Sequence, residues 1–239
     1  GNLVHRKWLE MTNASYEEFQ KLVGSTDCIV KPSANCCGYG IYKLQKQESS
    51  DLQELYNKVR GEKALVEQCI EGCDGLECFH PQSLNTLRVV TMVIDGQHRV
   101  FHSFLRMGAG NSVVDNAHAG GLFAQVNVKT GIIESDGITV NGDHYITHPD
   151  SGITIKGYQI PRWNEIKEYA ESASSQIPGL FIVGWDITIM KDGQIEIIEG
   201  NHGPDWDVMQ SPLKKGYRQM IEKAIMDYYH RSLDEMTAI

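Results

Sequence analysis

Short segments with different spacings of apolar residues follow one another along the first 70 residues. Two of them combine a capping box with apolar residues at helical spacing, which predicts helices that begin near Ser15 and Ser50 and end at Gly24 and Gly61. Short apolar runs lie between and after these helices, and they predict three strands, over 28–31, 41–44 and 64–68. A loop of small residues, 33–40, joins the first two strands.

Beyond residue 85 the pattern changes to long strands that are joined by tight turns. Two hairpins are indicated, because Asp-Gly between apolar runs at 95–96 and at 192–193 is a strong hairpin signal. Their strands are predicted over 86–94 with 99–107 and over 184–190 with 194–199. A further strand is predicted over 123–128, an insertion or small hairpin over 136–157, and helices over 161–174 and 213–233. Helices and strands mix without regular βαβ alternation, so the fold class is α+β with antiparallel sheets.

The charge balance and the length of the apolar runs exclude two classes of partner. Among the 239 residues, 22 are Lys or Arg and 31 are Asp or Glu, which gives a formal net charge of −9. Nucleic-acid binding draws on clustered positive charge, so no nucleic-acid partner is expected. Apolar runs such as 180–183 and 187–190 are far shorter than the roughly 20 residues that cross a bilayer, so we expect no membrane span.

The six cysteines all lie in the first third of the chain, and no C-x-x-C pair occurs among them. A zinc site therefore lacks its usual spacing, and the cysteines are few for a protein held together by disulfides. The polar N-terminal stretch also lacks the apolar core of a signal peptide. We therefore expect reduced thiols and a cytoplasmic localisation.

Two carboxylates and an amide fall together on the second hairpin. Asp186 lies on its first strand, and Glu199 and Asn201 lie at the end of its second strand. Because the turn brings the beginning of one strand opposite the end of the other, these three side chains can meet at one end of the sheet. Oxygen ligands of this kind suit Mg²⁺ when substrate phosphates complete its coordination. The alternative is a hairpin end with exposed acidic residues.

Two basic residues have the chemistry of phosphate binding. Lys31 ends a predicted strand and precedes the loop to Gly40, whose backbone N–H groups can surround phosphates. Arg88 lies on an otherwise apolar strand, and a guanidinium can bind phosphate oxygens bidentately. Taken alone, each pattern is also compatible with an ordinary hairpin loop and with a surface arginine.

The order and spacing of several motifs resemble the sugar-transfer associated branch of the ATP-grasp superfamily, which is related to α-L-glutamate ligases. The motifs are Ile29-Val30-Lys31-Pro32 with its loop to Gly40, Val66-Glu67-Gln68, Asn85-Thr86-Leu87-Arg88, Ser112 to Asn116 with Ala119-Gly120-Gly121, Gly184-Trp185-Asp186 and Ile198-Glu199-Gly200-Asn201. The resemblance extends from about Trp8 to Gln210, almost the whole chain.

This resemblance implies an ATP-grasp fold, in which two lobes with antiparallel sheets and flanking helices hold a nucleotide between them. The expected boundaries are an N-terminal helical remnant over 1–24, a small lobe over 25–72, and a large lobe with the metal-binding hairpin over 73–239. ATP and Mg²⁺ are the implied cofactors.

The resemblance also implies roles for single residues. The implied nucleotide contacts are Lys31, Gly38, Gly40, Glu67, Gln68 and Ile70, with the ribose on Glu71 or Asp74. The implied metal ligands are Asp186, Glu199 and Asn201. Arg88 and Arg106 are the implied catalytic residues, with Arg88 on phosphate. The implied substrate contacts, on the same acceptor side as Arg106, are Asp115, Asn116 and His118.

The activity implied by the resemblance is that of an ATP-dependent carboxylate–amine ligase. ATP phosphorylates a carboxylate to an acylphosphate, and an amine then attacks to form an amide. The expected partners are a small-molecule carboxylate and an amine, such as a uronic acid or an amino acid of a surface polysaccharide. A kinase-like phosphotransferase and a nucleotide-binding module without turnover remain open as alternatives, and so does the oligomeric state.

One departure from the family pattern concerns the N-terminal side. ATP-grasp proteins usually have an earlier lobe that ends with another nucleotide-contacting lysine, whereas only 30 residues precede Lys31 here. Lys7 is the substitute by position. A shortened chain and a protein that works without that lobe both remain open.

Several other tempting residues are expected to have ordinary roles. His144 and His148 are expected on a solvated face, and Trp163 and Trp206 are expected in packing. His202, beside Asn201, is expected to have a substrate or structural role, because sites with hard oxygen ligands rarely include imidazole.

Overall fold

A computed structural model describes residues 6–33, 40–47, 52–112, 115 and 120–237. The chain divides into two compact units, Gly1–Glu71 and Gly72–Ile239, which we call unit 1 and unit 2. Each unit has a sheet and flanking helices of its own. No helix within the described ranges combines the length and the apolar composition that crossing a membrane requires.

Unit 1 is built on a four-stranded antiparallel sheet in the order β1-β4-β2-β3. Its strands are β1 Trp8–Glu10, β2 Cys28–Lys31, β3 Tyr42–Leu44 and β4 Leu65–Gln68, and its helices are α1 Tyr16–Val23 and α2 Gln53–Gly61. Phe19 and Tyr56 of the helices are buried in one core with Val30 and Val66 of the strands. The amphipathic spacing of α1 therefore directs its apolar face onto the sheet.

The first capping box of unit 1 is confirmed and the second is wrong. The Ser15 hydroxyl accepts a hydrogen bond from the Glu18 N–H at 3.2 Å, and the Glu18 carboxylate accepts one from the Ser15 N–H at 2.8 Å. Helix α2 instead begins after Leu52 without a side-chain cap, so Gln53 is its first residue and Ser50 lies outside the described residues. Strand β1 is absent from the prediction, because three residues are too few to give a clear alternation.

Unit 2 contains a seven-stranded antiparallel sheet in the order β11-β10-β5-β6-β7-β8-β9. Its strands are β5 Thr86–Ile94, β6 Gln97–Met107, β7 Leu122–Gln125, β8 Gly137–Ile138, β9 His144–Tyr145, β10 Ile182–Ile189 and β11 Ile195–Asn201, and its helices are α3 Asp74–Glu77, α4 Trp163–Ser175, α5 Trp206–Gln210 and α6 Arg218–Thr237. The fold class of α+β with antiparallel sheets is confirmed.

The two predicted hairpins of unit 2 are confirmed, and their turns have the backbone conformation that the sequence requires. Asp95 and Gly96 both have positive φ, 51° and 77°, as a type I′ turn needs. Gly193 in the second turn has a φ of 87°. Each turn thus fixes the register of its strands, and with it the residues that lie opposite one another.

Helices cover both faces of the unit 2 sheet. On one face, the Thr91 hydroxyl of β5 is 2.6 Å from the Ser174 hydroxyl of α4. On the other face, Val90 and Met92 are buried in a cluster with Ala224 of α6. The predicted C-terminal helix over 213–233 is confirmed from Arg218 onward, but its first residues are not helical: 211–214 form turns after the short α5, and Lys214 has a φ of 50°.

The structure separates the histidines and tryptophans that sequence analysis grouped together. His148 is fully buried, and its Nε2 is 2.8 Å from the Gly108 carbonyl oxygen, so the expected solvated face is wrong for this residue; His144 is exposed. Trp163 is buried as expected and donates from Nε1 to the Val128 carbonyl at 3.1 Å. Trp206 remains 38% exposed and is not a core residue.

Candidate active site

Three neighbouring strands of unit 2 place charged side chains in one row. Strand β5 pairs with β10 so that Arg88 lies opposite Asp186, and β10 pairs with β11 so that Asp186 lies opposite Glu199. Both contacts follow from strand register, because residues opposite one another on one face have close Cβ atoms. The row is buried at its centre, where Arg88 is 5% and Asp186 is 3% exposed.

Arg88 is held by two carboxylates. Its Nε and one terminal nitrogen donate to the two oxygens of Asp186, the second of them at 3.0 Å. This is the bidentate geometry that makes arginine–carboxylate pairs strong and well oriented. The remaining terminal nitrogen donates to Asp205 at 2.9 Å. Asp205 lies just before α5 and has a left-handed backbone, with a φ of 55°.

Arg106 of β6 connects Asp186 to a second buried carboxylate. One of its terminal nitrogens donates to Asp186 at 2.6 Å, and the other lies 3.3 Å from an oxygen of Asp115. Asp115 in turn accepts hydrogen bonds from the Thr86 N–H, at 2.9 Å, and from the Thr86 hydroxyl. Two guanidinium groups and four carboxyl groups thus form one network, because Glu199 lies beside Asp186 and Asp205 beside Arg88.

The charges in this network shift its pKa values in opposite directions. Burial alone would raise the pKa of Asp186, but the charges of Arg106 and Arg88 outweigh it, so this pKa lies below its ordinary value. Burial and the charge of Asp186 raise the pKa of Glu199. Burial also raises the pKa of Asp115, although Arg106 and Thr86 act against it. Asp186 is therefore the most firmly ionised carboxylate of the three.

The oxygen atoms around Asp186 fit the chemistry of Mg²⁺ in part. Asp186 and Glu199 face each other across β10 and β11, and Asn201 donates from its amide nitrogen to Glu199 at 3.0 Å. Carboxylate and amide oxygens are the ligand types that Mg²⁺ takes, usually one or two carboxylates together with substrate phosphates. Within the described ranges, no group of three or more His, Cys, Asp or Glu side chains could hold a metal by itself. The metal role of these three residues stays a prediction.

In unit 1, Lys31 and Glu67 form a partly buried ion pair, and Glu67 has a further partner that sequence analysis missed. The Lys31 Nζ lies 2.7 Å from Glu67 Oε2, and Arg6 donates from Nε to the same oxygen at 3.0 Å and from a terminal nitrogen to Oε1 at 3.1 Å. Burial opposes ionisation of Glu67, but Arg6 and Lys31 prevail and hold its pKa below the ordinary value. The adjacent Gln68 exchanges backbone and side-chain hydrogen bonds with Lys7, at 2.8 and 3.3 Å.

The remaining predicted residues are less constrained by the structure. Gly40 has a φ of 74°, a conformation that favours glycine. Ile70 follows β4 and is half-buried, and Asp74 is the first residue of α3. Gly38, Asn116 and His118 lie outside the described residues.

Asp205, Thr86 and Arg6 join these clusters without having been singled out as site residues. Asp205 is 117 residues from Arg88, and Arg6 is 61 residues from Glu67, so no local spacing connects either pair. A usable signal existed only for Thr86, which lies in the same motif as Arg88. Strand alternation gives the two residues a common face of β5.

Comparisons with known proteins agree with this architecture. The model of the family described as sugar-transfer associated ATP-grasp matches residues 12–225. The comparison with curated proteins found no similar sequence.

Among solved structures, the chain is similar to the ATP-grasp ligase PsnB in complex with a phosphomimetic variant of its minimal precursor, Mg and ADP. The TM-score is 0.51 at 15% identity, over 94% of this chain and 53% of PsnB. PsnB with its minimal precursor gives a TM-score of 0.50 at 15% identity, over 94% and 55%. D-alanine–D-alanine ligase from Bacillus anthracis gives 0.49 at 14% identity, over 98% and 64%. At these identities the PsnB structures show the fold alone, and the chain spans about half of their length.

Proposed function

Because the chain belongs to the sugar-transfer associated ATP-grasp family, we propose that it is an ATP-dependent carboxylate–amine ligase. In the first step a carboxylate oxygen attacks the terminal phosphorus of ATP, and ADP leaves with the electron pair of the broken bond. In the second step an amine attacks the carbonyl carbon of the acylphosphate, phosphate leaves, and the nitrogen loses a proton. The product is an amide.

The observation that carries this proposal is the buried network of Arg88, Arg106 and Asp186 beside Glu199 and Asn201. Phosphoryl transfer needs little covalent chemistry from a protein, and it depends on groups that position and neutralise the phosphate oxygens. Arg88 and Arg106 are two such groups, because they are held in fixed orientations and are shielded from solvent. In this function they contact the transferring phosphoryl group.

The carboxylates of the same network have a complementary role in the proposal. Asp186, Glu199 and Asn201 would hold Mg²⁺, which when bound supplies neutralisation of the phosphate charge. Asp186 is suited to this role because its pKa lies below the ordinary value, so it is ionised at neutral pH. Asp205 orients Arg88, and Asp115, which lies 3.3 Å from Arg106, helps to orient that arginine.

The nucleotide contacts proposed in unit 1 rest on Lys31 and on the strand that contains Glu67. Lys31 lies at the end of β2, and its side chain remains 26% exposed while it pairs with Glu67. A lysine in this position can bind a phosphate while the carboxylate beside it keeps the side chain oriented. We assign Gly38, Gly40, Gln68 and Ile70 to the same nucleotide, and Glu71 or Asp74 to its ribose.

For the acceptor, we propose a small carboxylate and an amine, one of them linked to a sugar or surface-polysaccharide precursor. Asp115, Asn116 and His118 are the proposed acceptor contacts, next to Arg106 in the family pattern. The link to sugars rests on the description of the matching family.

Calorimetric titration with a non-hydrolysable ATP analogue, with and without Mg²⁺, tests the nucleotide site. We expect Mg²⁺-dependent binding by the wild type and its loss in Asp186→Asn/Glu199→Gln. Asp192→Asn is the matched control, because Asp192 is an exposed acid in the turn of the same hairpin and only caps Gln194. Failure of the folded wild type to bind the analogue would contradict the proposal.

Product analysis then separates the ligase from its alternatives. A ligase releases ADP and phosphate in proportion to amide, when supplied with a suitable carboxylate and amine. A kinase-like phosphotransferase would give ADP and a stable phosphorylated acceptor. Binding of Mg²⁺-ATP without hydrolysis under any acceptor would identify a nucleotide-binding module.

A further inference from the structure

Two buried histidines hold the chain at the point where it leaves β6. The Gly108 carbonyl accepts a hydrogen bond from His148 Nε2 at 2.8 Å, and the Gly110 carbonyl accepts one from His80 Nε2 at 3.0 Å. The Gly110 N–H donates to the Asp150 carboxylate at 2.8 Å. Both imidazole rings are shielded from solvent. We call these three hydrogen bonds the glycine clamp.

The clamp leaves room only for glycine at position 108. A Cβ there would lie 2.5 Å from His80 Nδ1 and would overlap Ser83. The N–H of Gly108 donates to the side-chain oxygen of Asn85 at 3.2 Å. The backbone can approach all of these groups because no side chain intervenes. This close fit means that a small displacement of the segment breaks several contacts at once.

The hydrogen-bond partners of each ring determine where its proton lies. A carbonyl oxygen only accepts, so Nε2 carries the proton in both histidines. His148 Nδ1 accepts the Asp150 backbone N–H at 3.3 Å, so a second proton on this ring would place two N–H groups against each other. His80 Nδ1 lies 2.9 Å from the Ser83 hydroxyl, which can either donate or accept. The contacts of His148 therefore require a neutral ring, whereas those of His80 do not.

The clamp lies next to Arg106 in the chain. Arg106 is the residue before the last of β6, and Gly108 is the first residue after that strand. The chain comes back to Arg106 at Asp115, which lies 3.3 Å from its guanidinium group and is fixed by the Thr86 N–H. The clamp thus fixes one end of the connection between Arg106 and its carboxylate partner, and Thr86 fixes the other end.

We propose that His148 and His80 are positioning residues for Arg106, and that a proton on His148 opens the clamp and loosens this arginine. The inference rests on the proposed function, in which Arg106 contacts the transferring phosphoryl group of ATP. It adds a dependence on pH and a consequence for selectivity. Opening of the clamp weakens the binding of a triphosphate more than that of a diphosphate, which lacks the terminal phosphate.

The surroundings of His148 favour its neutral form. Burial lowers the pKa of His148 below its ordinary value of 6.5, although the Gly108 carbonyl and Asp150 act against this shift. His80 adds to the lowering, since the two ring centroids are 6.1 Å apart. Asp150 and His80 are the titratable groups that face His148 within the described ranges. The clamp is therefore closed above about pH 6.5 and opens as the pH falls through the lowered pKa.

The first test follows the protonation of the rings without any nucleotide. In ¹⁵N-labelled wild type, the imidazole nitrogen shifts in NMR spectra report the tautomer and the charge of each histidine. At about pH 7.5 we expect His148 to be neutral with its proton on Nε2. Between about pH 6.5 and pH 5 we expect it to gain a second proton, together with faster exchange of the Gly110 amide.

The second test measures selectivity by calorimetry as the ratio of the Kd of ADP to the Kd of a non-hydrolysable ATP analogue, both with Mg²⁺. This ratio should fall at least about threefold in the wild type when His148 becomes charged. His148→Gln has an amide that can donate to the Gly108 carbonyl and does not titrate. It should match the wild type at about pH 7.5 and keep a higher ratio at about pH 5. Comparison of the two proteins at the same pH removes the titration of the analogue itself.

Three further variants make the second test specific. His148→Ala should have a low ratio at both pH values, because no donor remains for the Gly108 carbonyl. Asp150→Ala, at an exposed position, removes the carboxylate that is bonded to the Gly110 N–H and should lower the ratio in the same direction. His144→Gln is the matched control, because His144 is an exposed histidine of β9, and it should behave as the wild type does.

The outcomes distinguish this inference from the proposed function. A His148 ring that stays neutral down to about pH 5, or equal ratios in the wild type and His148→Gln at both pH values, would overturn the inference and leave the nucleotide site intact. Equal losses of ADP and analogue affinity in His148→Ala would also overturn it, and Asp150→Ala decides this point if the alanine variant does not fold. A folded wild type that binds neither nucleotide would overturn the proposed function, whereas the NMR titration would still test the clamp.

Discussion

The ion-pair cluster of unit 1 allows a quantitative prediction for Glu67→Gln. Glu67 is 6% exposed and accepts three charge-assisted hydrogen bonds, two from Arg6 and one from Lys31. Glutamine is nearly isosteric but leaves two cationic groups without their counter-ion. Removal of one partner from a buried ion pair costs about 3–5 kcal/mol, and because Lys31 keeps some contact with solvent we expect about 3 kcal/mol.

Amide hydrogen exchange of the β2 and β4 backbone measures this change within unit 1. A loss of about 3 kcal/mol corresponds to exchange that is roughly 150-fold faster in the core amides of these strands. Glu54→Gln is the control, because Glu54 is exposed on α2 in the same unit. Exchange in Glu67→Gln that matches this control would refute the claim that the cluster stabilises the unit.

The same cluster predicts a pH dependence whose sign can be worked out. The pKa of Glu67 in the folded protein lies below its ordinary value of 4.5, so the unfolded chain takes up this proton first as the pH falls. The stabilisation is therefore complete above about pH 5 and is lost as the pH decreases through 4.5 and below. Glu67→Gln should lack this part of the acid destabilisation, so the two stability curves should converge at low pH.

Three other predictions concern unit 2. Ser174→Ala should lower the free energy of unfolding, measured by urea denaturation, by about 2 kcal/mol, because the Trp185 indole N–H and the Thr91 hydroxyl lose a buried partner. The control is Ser175→Ala at the neighbouring exposed position, which should change the same free energy by less than about 0.5 kcal/mol. Gly184→Ala should weaken Mg²⁺-nucleotide binding about tenfold in calorimetry, because the new Cβ would lie 2.8 Å from Arg88 Cδ and displace that side chain. Unchanged affinity would contradict the proposed contact between Arg88 and the nucleotide. Burial lowers the pKa of His102 from 6.5 to about 4, so the unfolded chain takes up this proton first as the pH falls. The free energy of unfolding should therefore decrease by an amount on the order of 3 kcal/mol between pH 6.5 and pH 4. Folded His102→Phe should lack that decrease in pH-dependent melting.

Local sequence signals were sufficient for the elements that bring acidic residues together. The Asp-Gly turn at 192–193 fixes the register of β10 and β11, and that register puts Asp186 opposite Glu199. The capping box at Ser15 likewise defines the beginning of α1. In each case the controlling residues lie within a few positions of the feature they determine.

Features that depend on distant contacts were missed. Arg6 reaches Glu67 only because β1 lies beside β4, and Asp205 reaches Arg88 only because the chain after β11 returns over the sheet. His148 belongs to a segment of polar appearance, and its buried ring nitrogen finds its partner in the Gly108 carbonyl, 40 residues away. Hydrophobic periodicity contains no information about such polar contacts, because it reports the face of an element and not the identity of its neighbour.

The pairing of Arg88 with Asp186 has a consequence for how the sheet assembles. Strands β5 and β10 are buried along almost their whole length, so alternation of polar and apolar residues gives little indication of how far one should slide along the other. No tight turn joins them, since Leu87 and Ile187, which pair, are 100 residues apart in the chain. A shift by one residue would place the arginine against Trp185 or Ile187, where no carboxylate lies opposite it. The ion pair between Arg88 and Asp186 thus specifies the register of two apolar strands whose hydrophobic pattern alone does not define it. We expect any natural change at one of these two positions to be matched by a change at the other.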